Sequence, residues 1–142
     1  MKKSICLIAL LIAFFCLPAK LVAQIEFYYR AFAVQSGHYD YETEERTYGE
    51  VQMIEMLLEF KFGSNIFVGP IKGEENDVIG LPGFYYIDEV TEITRRKRGY
   101  TGRTDAGTFE MVVDHEEKTI EVMIYREEET ERAEFFIFSL HQ

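Results

Sequence analysis

The chain has 142 residues, 47% of them hydrophobic, with 15 basic against 25 acidic side chains and two cysteines. A length of this order builds one domain rather than several. The net charge of −10 argues against a nucleic-acid partner, because a polyanion meets a repulsive mean field and no basic groove interleaved with aromatics runs along the sequence to offset it.

Lys2 and Lys3 precede an unbroken apolar run over residues 5–17, followed by Pro18 and by small or polar residues up to Ala23 and Gln24. That run is shorter than the roughly 20 residues a membrane-spanning helix needs, so residues 1–23 are expected to be a cleaved secretory signal peptide. Leu21, at the third position before a cut after Ala23, is larger than the usual A-x-A pattern prefers, which leaves a cut after Ala19 as the alternative. Bulky Phe15 before Cys16 argues against a lipid anchor. Processing would remove Cys6 and Cys16 together, leaving residues 24–142 as one exported domain, periplasmic or extracellular, with no transmembrane segment and no disulfide or thiolate chemistry. Loss of Lys2, Lys3 and Lys20 leaves 12 basic residues against 25 acidic, a net charge of −13.

Beyond Gln24 the apolar residues recur with a period of two. Residues 25–34 form a first expected strand, opened by Phe27, Tyr28 and Tyr29. Residues 49–62 admit a helix, but Ile54, Met56, Leu58, Phe60 and Phe62 in strict alternation favour a strand, and Gly63, Ser64 and Asn65 turn it into Ile66, Phe67 and Val68. Pro70, residues 72–77 and the Gly80-Leu81-Pro82-Gly83 segment break the pattern. Residues 84–94 resume it and change phase near Asp88 and Glu89, the mark of a β-bulge. Residues 108–113, 119–124 and 132–140 then form an antiparallel meander around a polar turn at 114–118 and an acidic link at 127–131. The fold class is therefore all-β: seven or eight antiparallel strands closing as a small barrel or as a two-sheet sandwich.

The ending Thr108-Phe109-Glu110-Met111-Val112-Val113-Asp114, then Thr119-Ile120-Glu121-Val122-Met123-Ile124, then Phe135-Phe136-Ile137-Phe138-Ser139-Leu140 resembles small exported β-meander proteins common in Bacteroidetes, as does the leader ending Val22-Ala23-Gln24. The resemblance implies an all-β, lipocalin-like shape and carries over no functional residue.

Two sets of residues are candidates for a site. Arg95, Arg96, Lys97 and Arg98, with Arg103 close behind, form a basic cluster in an acidic chain, suited to gripping an anion where a glycine-containing loop admits backbone N–H groups. The Gly99-Tyr100-Thr101-Gly102 segment lacks the lysine-hydroxyl ending of a nucleotide loop. With no tryptophan present, tyrosine and phenylalanine must supply any stacking platform, and Tyr28, Tyr86, Phe60 and Phe84 are the candidates for lining a ligand. The acidic runs at residues 40–45 and 127–131 lack the spacing of a calcium loop, and no histidine spacing suits zinc, so neither metal nor cofactor is expected.

Catalysis has no convincing constellation. His38 and His115 fall on expected polar loops and His141 is the penultimate residue. Glu55, Glu59, Asp88, Glu89, Glu92 and Glu110 offer carboxylates for glycoside cleavage only if two of them face each other across a cleft. The expectation is a non-enzymatic β-domain that binds a small apolar ligand or a glycan fragment. The alternative is an interaction protein that meets a protein partner or an anionic surface through an edge strand or through the Arg95 to Arg103 cluster.

Overall fold

A computed structural model describes residues 26–61, 65–71 and 78–142. The expected leader, Phe62, Gly63 and Ser64, and the break at 72–77 lie outside the described residues. Eight strands follow in chain order: β1 (Glu26–Asp40), β2 (Arg46–Lys61), β3 (Asn65–Pro70), β4 (Phe84–Thr94), β5 (Lys97–Arg103), β6 (Gly107–Asp114), β7 (Thr119–Arg126) and β8 (Arg132–Leu140). Each pairs antiparallel with its neighbour in sequence, and β8 pairs antiparallel with β1. The result is a closed up-and-down barrel rather than a sandwich, as an even number of antiparallel strands permits.

The alternation read from the sequence places the interior. Ile54, Met56, Leu58 and Phe60 of β2 face inward, as do Phe109, Met111 and Val113 of β6, Ile120, Val122 and Ile124 of β7, and Phe136, Phe138 and Leu140 of β8. A barrel of about eight strands leaves an interior that side chains can fill, and these side chains fill most of it. No polar or charged residue is buried among the described residues. A second, smaller cluster lies on the outer face, where Phe135 packs with Met123 and Ala133 and covers the bare backbone of Gly37.

Two aspartates shape the hairpins. Asp40 Oδ1 accepts the amides of Glu42 and Thr43 at 2.9 Å each, and Asp114 Oδ1 accepts those of Glu116 and Glu117 at 3.0 Å each. Each turn closes through a residue of positive φ, Glu44 at 56° and Lys118 at 54°. These are Asx turns, in which a side chain substitutes for a backbone acceptor. Their amides hold both aspartates below the ordinary carboxylate range.

β1 runs further than expected, to Asp40, because two register shifts, at Ala31/Ala33 and Gln35/Gly37, let it coil while staying paired with both β2 and β8. His38 accordingly sits within β1, opposite Thr47 and Glu134, and not on a loop. β5 brings a similar correction. The glycine-containing segment from Gly99 to Gly102 is strand, paired on both sides, so its amides serve the sheet.

Candidate functional site

The barrel closes unevenly. β3 and β4 share three residue pairs, Asn65 with Tyr86, Ile66 with Tyr85 and Phe67 with Phe84. Beyond Tyr86, β4 continues for eight residues paired to β5 alone among the described residues. The β4–β5 hairpin is thus an arm that rises past the end of β3. The phase change expected near Asp88 and Glu89 is present as a register shift between Ile87 and Glu89, at the base of this arm. It makes Val90 and Glu92 the cross-strand partners of Tyr100 and Arg98.

Between the inner face of the arm and the aromatic end of the core lies a cavity of about 470 Å³, lined by Phe27, Phe60, Ile87, Val90, Glu92, Arg98 and Tyr100. Its floor is a ring cluster. Phe27 and Phe60, register partners on β1 and β2, stack at 5.1 Å, and Phe60 meets Tyr29 at 5.5 Å and Tyr100 at 5.2 Å. Aromatic pairs at these separations add to the stabilisation from burial. Tyr29 Oη lies 3.4 Å from Nε2 of His115, tying β1 to the β6–β7 turn. Burial foremost holds the Tyr29 and Tyr100 hydroxyls above the ordinary tyrosine value, and the Arg98 guanidinium beside them works against that rise.

The basic cluster does not act as one body. Lys97 pairs with Asp114 at 3.2 Å and Arg103 with Asp88 at 3.4 Å, while Arg95 and Arg96 occupy the two-residue tip of the arm. Arg98 alone of the five lines the cavity, and it has no ion pair among the described residues. The ligand-lining candidates divide in the same way. Phe60 is in the cavity floor, Tyr28 points outward with 66% exposure, and Phe84 and Tyr86 form an outer aromatic group with Phe67. Of the remaining lining residues, Ile87 follows Tyr85 in period-two alternation, whereas Phe27 stands in a run of adjacent aromatics, Val90 lies past the phase change in β4, and Tyr100 sits among glycines and cations that disguise the start of β5 as a loop.

Of the carboxylates considered for glycoside cleavage, only Glu92 lines the cavity. Asp88 pairs with Arg103, Glu55 with Arg30 and His141, and Glu110 accepts the Tyr125 hydroxyl at 3.1 Å. At the opposite end of the barrel, Arg126 donates to Gly80 O at 2.7 Å and pairs with Glu134 at 3.2 Å. His38 lines a hollow of about 260 Å³ there with Ser36 and Glu134. No group of three or more metal-ligating side chains occurs among the described residues, and no helix there is long and apolar enough to cross a membrane. No protein-family model, curated protein or solved structure matches the chain.

Proposed function

We propose that this protein is an exported binding module that takes a small, mainly apolar ligand into the cavity between the β4–β5 arm and the aromatic floor. The observation that carries this reading is the cavity itself: about 470 Å³, walled by Phe27, Phe60, Ile87 and Val90. That volume falls within the roughly 300–1,000 Å³ of small-molecule sites, which are apolar with a few placed polar groups. An apolar ligand is favoured over a glycan fragment because a sugar would leave several hydroxyls facing hydrocarbon, at about 1–3 kcal/mol for each one left unpaired.

The test is a fluorescence titration with N-phenyl-1-naphthylamine, a neutral apolar probe, against the wild-type protein and Val90→Asp. Val90 is 49% exposed, so the substitution spares the core. A charge in the apolar wall should lower probe affinity by at least about tenfold, or 1.4 kcal/mol, with circular dichroism unchanged. Equal affinity in the two proteins, or no binding to either, overturns the reading.

A further inference from the structure

We propose that the ligand is an anionic amphiphile, with its acyl or alkyl chain on the aromatic floor and its charged head at the inner rim, held by Arg98 with the hydroxyl of Tyr100. This rests on the cavity reading above and goes further, since an apolar cavity alone specifies no head group.

The argument begins with alternation. Arg98 and Tyr100 are two residues apart in β5, so their side chains leave the same face of the strand, and both line the cavity. Neighbouring cations are placed otherwise: Lys97 projects to Asp114 and Arg103 to Asp88, each meeting a carboxylate. Arg98 lines an apolar cavity with no carboxylate within 4.0 Å among the described residues. A guanidinium left without a counter-ion beside hydrocarbon is suited to an incoming anion, and a planar oxyanion can engage its fork in bidentate fashion.

One further group stands at that position, Tyr100, which lines the cavity beside Arg98; Tyr29 lies outside the lining, edge-on to Phe60 of the floor, with its hydroxyl 3.4 Å from Nε2 of His115. The Tyr100 hydroxyl stays protonated through neutral pH, so it can donate to an oxyanion. Glu92 is the opposing charge: it is Arg98's register partner and lines the same cavity, with no ion pair to it among the described residues. Its carboxylate repels an anionic head, and that gives the proposal a second lever.

The experiment compares dodecanoate with dodecan-1-ol, equal chains with charged and neutral heads, by displacement of N-phenyl-1-naphthylamine below the micellar concentration of the acid and the solubility limit of the alcohol. Dodecanoate should bind the wild type at least about tenfold more tightly than the alcohol, and the ratio should shrink with added salt. Arg98→Met keeps the apolar stem and should bring the ratio near one with little change for the alcohol. Glu92→Gln should raise it, and Arg95→Met, at the arm tip, should leave it unchanged. An alcohol that binds the wild type as well as the acid overturns the anionic head while leaving the apolar cavity standing. A ratio unaltered in Arg98→Met also overturns it. If neither ligand displaces the probe, the cavity reading fails and the head-group assignment fails with it.

Discussion

Gly102 sits at the base of the arm, opposite Ile87, where the bulge in β4 begins. A methyl group there would run into the carbonyl oxygen of Tyr86, with the carbonyl carbon at 2.9 Å and the Asp88 amide nitrogen at 3.0 Å. Ordinary contact begins near 3.4 Å, so the carbon alone must retreat by about 0.5 Å, and these are backbone atoms that cannot swing aside. Gly102→Ala should therefore pry β4 from β5 at this point. Two ladder hydrogen bonds lost at about 0.5–1.5 kcal/mol each, less the roughly 0.4–1 kcal/mol gained from a stiffer unfolded chain, leave a net loss centred on about 1.3 kcal/mol. Gly69 of β3 is the control, because no atom of the described residues lies within 4 Å of where its methyl group would stand. Gly69→Ala should be neutral or stabilising by about 0.5 kcal/mol. Urea unfolding followed by circular dichroism measures both. The probe titration should add that Gly102→Ala weakens binding, since Ile87, Val90 and Glu92 move with the arm, and that Gly69→Ala does not. A Gly102→Ala protein as stable as Gly69→Ala would refute the argument that β4 and β5 touch backbone to backbone at the root of the site.

Three other outcomes are expected. Tyr85 is fully buried and its hydroxyl has no hydrogen-bond partner among the described residues, so Tyr85→Phe should stabilise the fold by about 1 kcal/mol in urea unfolding. Tyr125, pushed up to about 12 by burial and then by the Glu110 carboxylate, should titrate late in ultraviolet phenolate absorbance, and Glu110→Gln should bring it earlier; stability holds below the unfolded value near 10 and falls as pH rises towards 12. Asp40 and Asp114 are depressed by their turn amides, so the stability they give is present above the unfolded value of about 3.9 and is lost as pH falls through their lower folded values; the Asp40→Asn, Asp114→Asn double variant should show a flatter stability profile across that acid range.

Strands were the most legible feature. Ile54 to Phe60 and Ile120 to Ile124 alternate cleanly because one face of each strand meets the core and the other meets water. The β4 bulge was legible for the same reason, as a break in phase. β5 reads as a loop in the sequence because Gly99 and Gly102 carry no side chain to display alternation and the flanking cations resemble a solvated turn. Tyr28 and Tyr86 show the complementary failure: they lie in strands as expected, but their outward faces were set by register, which a run of adjacent aromatics does not reveal.

Residue order alone determined an all-β body, through side-chain periodicity, and turns whose aspartates accept their own backbone amides. Both are local properties, dictated by neighbours a few positions away. Closure of β8 onto β1, the short seam between β3 and β4, and the meeting of Arg98 with Phe27 and Phe60 were decided only in three dimensions. Such juxtapositions depend on the register and coiling of strands distant in the chain, and neither is written in any one segment.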